Sequence, residues 1–339
     1  MANYLDKAQR RQLAAAQSSW LWRSDWPTWL LIVAVYGAWF GAATQARRLG
    51  LPLALPALAL ASAWYMSLQH ELLHGHPTRF ACVNACLGCA PLAVWVPYGI
   101  YRRMHLAHHA ASLADPQEDP ESYFVSEQRW QSAGGCLRAL WVVRNTFVGR
   151  LLLGPAFSIA ATFNAAGRRL ARRDFRDAPM WAAHLCALAG LMYWLDRVCG
   201  IPPLLFVLGV GYPALSIASI RSFQEHRAHA DVTQRTVINH AAWPWRLLFL
   251  NNNFHAVHHD LPGAPWFALP GIHRRHAADY LLRTGGFVVA GYSEWLRRYA
   301  FRPAARVVYS AQPVRAFGSS ATNIAQAAAG MALNGSPRS

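Results

Sequence analysis

Five stretches of this chain, residues 26–46, 49–69, 80–101, 178–195 and 200–220, contain no Asp, Glu, Lys or Arg. A helix of about 20 apolar residues spans the roughly 30 Å hydrocarbon core of a bilayer, so each stretch has the reach of a membrane span. With 54% hydrophobic and only 14% charged residues over 339 positions, the chain does not suit an ordinary water-soluble fold. The class is integral membrane.

The stretches differ in quality. The first two are joined by a tight Arg47-Arg48-Leu49-Gly50-Leu51-Pro52 turn, as expected for a helical hairpin. Residues 80–101 carry Gly88, Pro91, Pro97 and Gly99, which predicts a broken, re-entrant or interfacial segment rather than a span. Arginines 129, 138, 144 and 150 interrupt the apolar residues between 127 and 170, a pattern that suits amphipathic helices on the membrane face. The last two stretches form a second hairpin. The expected fold is all-α integral membrane, with about four transmembrane helices in two hairpins and a cytoplasmic helical cap.

Along the chain this predicts a cytoplasmic N-terminal segment at 1–25, a membrane domain at 26–300 and a C-terminal tail at 301–339. The tail is rich in Ala, Ser, Gly and Asn and is expected to be disordered at its end. The opening MANYLDKAQRRQLAAAQSSW is polar and lacks the apolar core of a cleavable signal peptide. The net charge of +16 comes almost wholly from arginine, Lys7 being the sole lysine. Arg168, Arg169, Arg172, Arg173 and Arg176 precede a membrane segment, which by the positive-inside rule puts that side in the cytoplasm. The charge therefore needs no nucleic acid partner, and both termini are expected to be cytoplasmic. Cys82, Cys86, Cys89 and Cys186 lie in apolar runs and are read as reduced and buried, despite the C-x-x-x-C-x-x-C spacing of the first three.

Most of the fifteen histidines fall in tight groups. His70 and His74 are i and i+4; His105, His108 and His109 are i, i+3 and i+4; His255, His258 and His259 repeat that second pattern. Each spacing gathers imidazoles on one side of a helix. Counting crossings, with 80–101 not spanning, brings all the groups to one face of the membrane. Repeated boxes of this kind point to a metal site.

"HELLH" also has the H-E-x-x-H form of a zinc protease, the reading from a different class. A catalytic zinc needs only three protein ligands, and Pro77 and Phe80 stand where the extended protease pattern puts a glycine and a third histidine. Eight or nine imidazoles suit two iron sites that leave room for dioxygen. Acidic neighbours Asp115, Asp119, Glu121, Glu225 and Asp260 are candidates for orienting the rings, Glu225 foremost. His76, His184, His240, His273 and His276 match no box and are read as nonligands.

The three boxes, separated by paired membrane helices, resemble those of the membrane fatty acid desaturase and hydroxylase superfamily. "HLAHHAASLADPQEDPES" and "NNNFHAVHHDLPGAPW" are similar to its bacterial members, and "HELLHGHPTR" resembles a branch that includes desaturases of the dihydrorhizobitoxine type. The resemblance covers about residues 26–300. It implies an O2-dependent desaturase acting on a fatty acyl chain in the membrane lipid, with two non-haem irons. Hydroxylation or ketolation of an alkane, carotenoid or lipid, or desaturation of a small amino-acid-derived metabolite, is the alternative within the superfamily.

A ninth ligand is implied after the last span, where "RSFQEHRAH" offers His226 and His229. His226 is preferred because it follows Glu225; Ser222 stands where some relatives carry an asparagine that reaches the metal through water. The ligand set is then His70, His74, His105, His108, His109, His226, His255, His258 and His259. No flavin, nicotinamide, haem or iron-sulfur fingerprint is present, so the resemblance implies an external electron donor of the ferredoxin, rubredoxin or cytochrome type. The expected location is the bacterial inner membrane, with the histidines on the cytoplasmic side.

Overall fold

A computed structural model describes residues 4–11 and 19–310. The expected disorder near the C-terminus falls on residues outside the described ones. Helix α1 spans Trp26–Thr44 and α2 spans Leu51–Leu73. Gly50, at φ 74°, makes the left-handed turn between them, and Pro52 sits in the first turn of α2, where its missing N–H costs nothing. On α2, buried Ala54, Leu58, Ala61, Tyr65, Leu68 and Leu72 recur every three or four residues and pack against α1. Trp39 of α1 donates from Nε1 to Ser62 Oγ at 2.9 Å across that seam.

The outer faces are as apolar as the seam. Val33 is 69% exposed and Leu53 is 65% exposed, a surface that only acyl chains cover at little cost. Short helix α3, Ala81–Gly88, stops inside this layer, and the chain turns back into α4, Tyr98–Ala110. Residues 80–101 are therefore re-entrant, as expected. The broken backbone at their tip is satisfied from within the protein. Tyr65 donates its hydroxyl to Gly88 O (2.6 Å) and Ala90 O (2.9 Å), Tyr36 donates to Leu87 O, and Gln69 Nε2 donates to Gly88 O at 2.7 Å.

Among the described residues, five helices are long and apolar enough to cross a membrane, one more than the sequence led us to expect. The additional one is α5, Phe147–Ala171, which precedes the second hairpin of α6, Ala178–Cys199, and α7, Pro203–Arg221. Both ends of α5 are tied to one layer. At its start Phe147 meets Phe223 just beyond α7, and Val148 N–H donates to Ala300 O. At its end Arg169 pairs with Asp177, which also pairs with Arg103, two residues before the first histidine of α4. Helix α5 thus lies along the membrane face, with Leu152, Phe163 and Leu170 exposed for lipid contact.

At the opposite end of the bundle, Arg47 in the first hairpin turn donates from Nε to Val198 O near the end of α6, at 2.9 Å. Both hairpin tips therefore sit together, about 35 Å from the far end of α2 by helical rise. Beyond that far end the chain builds a cap from α4 and from the segments after residue 221. It includes His255–Asp260, here α8, and a two-residue parallel pairing of Ile238–Asn239 with Val288–Val289. Tyr4 and Leu5 are buried in the cap's core beside Val257, Ile272 and Tyr280.

One expectation needs correcting. The cysteines are free, with no disulfide among the described residues, but Cys82, Cys86, Cys89 and Cys186 are exposed and only Cys199 is buried. Apolar runs in a membrane protein bury one stripe and turn the rest to lipid, so hydropathy did not distinguish core from periphery.

Candidate metal centre

Helix α2 carries its last turns into the cap, so His70 is buried there and His74 caps the helix end. Helix α4 brings His105, His108 and His109, all buried, and α8 brings His255, His258 and His259, also buried. His226 follows α7 in a stretch held to Thr236 by an isolated antiparallel bridge. The nine predicted ligands converge in two groups. One holds His70, His74, His105, His109 and His258; the other holds His108, His226, His255 and His259. His229 belongs to neither group: it is only half-buried, and its Nδ1 accepts the Asp231 N–H at 3.1 Å.

The H-x-x-H-H boxes split between the groups in a reciprocal way. In α4 the i, i+4 pair His105 and His109 enters the first group while His108 crosses to the second. In α8 the pair His255 and His259 enters the second group while His258 crosses to the first. A 100° step per residue separates the i+3 ring from the i, i+4 pair, so each box serves two adjoining centres. Where they adjoin, the rings of His109 and His259 stack with centroids 4.2 Å apart.

The nitrogen geometry suits a cation in both groups. Nε2 atoms approach to 3.1 Å between His105 and His109, His109 and His258, His226 and His255, and His255 and His259, and to 3.2 Å between His108 and His226. Several of these rings already commit Nδ1 to an acceptor. His108 Nδ1 donates to Asp119 at 2.7 Å, His105 Nδ1 to Glu121 at 3.0 Å, and His255 Nδ1 to Asn252 Oδ1 at 3.1 Å. A neutral imidazole holding its proton on Nδ1 presents a lone pair at Nε2. Where the partner ring also turns its Nε2 lone pair inward, the two repel unless a cation lies between them. Two nitrogens about 2.1 Å from one ion, at roughly right angles, stand about 3 Å apart, which matches the observed approaches. His74 Nε2 is buried without a hydrogen-bond partner, consistent with the same role.

The acidic residues sort differently from expectation. Asp119 and Glu121 are the carboxylates in direct contact with box histidines. Burial acts to raise the Glu121 pKa, but His105, by charge and hydrogen bond, holds that carboxyl below the usual carboxylate range. Glu225 approaches His255 Nδ1 only to 3.6 Å, beyond hydrogen-bond reach, and stands 3.3 Å from Arg221. Burial pushes its pKa up to about 7, the Arg221 charge opposing. Asn252, which sequence reading did not single out, takes the position beside His255 instead.

Asp115 caps Gln117 N–H, and Asp260 pairs with Arg10, Tyr4 N–H and the Tyr280 hydroxyl, so neither orients a box ring. Ser222 turns its hydroxyl to Ser219 O. The glutamate of "HELLH" is not poised as a protease base, since Glu71 Oε2 accepts the Trp266 N–H at 3.1 Å. His76, His184, His240, His273 and His276 lie outside both groups.

Outer partners of metal-bound imidazoles are worth about 10–100-fold in affinity or activity. Asp119→Asn and Glu121→Gln are each expected to lower turnover by about that factor, whereas Asp115→Asn leaves it unchanged. Steady-state rates of the three purified variants check this; equal losses in all three would contradict it.

Among curated proteins, no sequence matches the chain. The family model for fatty acid desaturase matches residues 46–289, a segment that runs from the first hairpin turn to the cap and contains every histidine of both groups. With buried histidine groups set in a cap on apolar, membrane-length helices, this match places the chain plainly: it belongs to the fatty acid desaturase family.

Proposed function

We propose that this protein is an oxygen-dependent membrane desaturase that removes a hydrogen pair from a fatty acyl chain, with two irons held by the nine histidines. The observation that carries this reading is the reciprocal split of the two H-x-x-H-H boxes into two adjoining groups. When bound, two irons supply the means to couple one dioxygen, two electrons and two protons to removal of a hydrogen pair as water, leaving a double bond. The chain's own residues supply orientation: Asp119 and Glu121 fix the tautomer and aim of His108 and His105, and Asn252 does so for His255.

An acyl substrate suits a site at the end of membrane-length helices, where His70 is buried in the last turn of α2. Electrons come from outside the chain, from a ferredoxin, rubredoxin or cytochrome-type donor. The described ends of the chain support a common side for both termini, since Tyr4 and Val307 are both buried in the cap region. Exposed Arg168 at the end of α5, with Arg172 and Arg173 just beyond it, lies on that same side; by the positive-inside rule this supports a cytoplasmic location, and a bacterial inner membrane is the setting this reading takes.

Purified protein given a reduced donor, oxygen and an acyl lipid is expected to yield a product lacking one hydrogen pair, identified by mass spectrometry. A product that instead gains one oxygen atom would replace desaturation by hydroxylation. Peptide cleavage without oxygen would overturn the reading altogether.

A further inference from the structure

A cleft of about 710 Å³ opens beside the start of α1, within the range of small-molecule sites. Trp22, Trp266 and Phe267 form its apolar walls, and Arg246, Arg274 and Arg275 reach it from the cap. Its level is set by Trp266, whose Nε1 donates to Thr28 Oγ1 in the first turn of α1 at 3.2 Å. Trp20, 72% exposed, and exposed Trp26 and Trp29 flank that turn, as tryptophans do where a bilayer meets water. The cleft therefore lies at the membrane interface.

Its charge is unbalanced. No acidic side chain is among the residues that line it. Arg274 and Arg275 end the helix Leu269–Arg275, are exposed, and make no side-chain hydrogen bond or ion pair with the described residues. Arg246 is held in place: its Nε donates to Asn251 Oδ1 at 2.9 Å, and Asn251 Nδ2 donates to Trp266 O at 3.0 Å. Guanidinium groups gathered without a counterion favour an anion, and their forked donors match phosphate oxygens. A free phosphate would have no use for the indole and phenyl walls, whereas a lipid would lay its glycerol and first methylenes against them.

We infer that this cleft binds the phosphate headgroup of an anionic membrane lipid. The site is independent of the redox reading, since it needs no metal. It also borders the metal centre, because Asn251 in its wall precedes Asn252, the residue hydrogen-bonded to His255.

The test uses the full chain in neutral detergent, with binding of a water-soluble short-chain phosphatidic acid followed by calorimetry. Tight binding of the acid, and binding at least about tenfold weaker in the double variant Arg274→Glu, Arg275→Glu, are expected. Thermal unfolding and metal content should not change in that variant, because neither side chain has a partner among the described residues. Reversing exposed Arg168 and Arg172, outside the cleft, should leave the affinity as it was. No binding, an unchanged affinity in the double variant, or an equal loss in the Arg168, Arg172 control would overturn the site. Displacement by inorganic phosphate at matching concentration, or equal affinity for the corresponding phosphatidylcholine, would overturn its assignment to an anionic lipid.

Discussion

His226→Ala is expected to lower turnover by more than about 100-fold, and His229→Ala to leave it essentially unchanged. An outer partner of a metal-bound histidine is worth up to about 100-fold, so a ligand itself should exceed that. His226 is buried, with Nε2 at 3.2 Å from His108 and 3.1 Å from His255, and with Nδ1 at 3.3 Å from the Thr236 hydroxyl. The Tyr123 hydroxyl donates to its backbone carbonyl at 3.0 Å, which fixes the segment as well as the ring. His229, three residues on, turns outward to the Asp231 backbone. Turnover measured beside thermal unfolding separates a lost ligand from a lost fold. A dead His229→Ala and a working His226→Ala would reverse the assignment.

The neighbours His258 and His259 yield the second large effect. They are consecutive in sequence yet belong to different groups, His258 beside His109 at 3.1 Å and His259 beside His255 at 3.1 Å. Alanine at either position is expected to abolish turnover, because the reaction requires both centres. Each substitution should deplete a different centre, leaving about one metal per chain in the other. Variants that stay active with full metal content would remove the residue from the ligand set. Loss of both metals from either variant would mean that the groups load as one unit, and the two-centre description would then fail.

Much of this is legible in the sequence. Helical spacing alone gathers His105, His108 and His109, and the charge-free runs mark the two hairpins and the re-entrant segment broken at Gly88, Pro91 and Pro97. The sharing of each box between two groups was not legible. Spacing within one helix says which rings share a side, but which ring meets which partner depends on how α4 and α8 pack together. The choice among the candidate carboxylates was not legible for a related reason. Glu225 adjoins His226 in sequence, yet the carboxylates that touch box rings lie 11 and 16 residues from their partners, in the loop after α4.

Asn252 shows where a local signal existed. It precedes His255 by one helical turn, inside a run of three buried asparagines that an apolar-looking loop would not bury without purpose. For α5, length and hydropathy suit a span, and only the tethers at both ends show that it stays on one face. Composition describes what a helix tolerates, while its anchors decide where it lies.

The most direct test is elemental analysis of the detergent-purified, tag-free protein against protein concentration. About two irons per chain, one for each histidine group, are expected. Zinc near one per chain, with iron unable to replace it, would contradict the account and return "HELLH" to the chemistry its spacing first suggests.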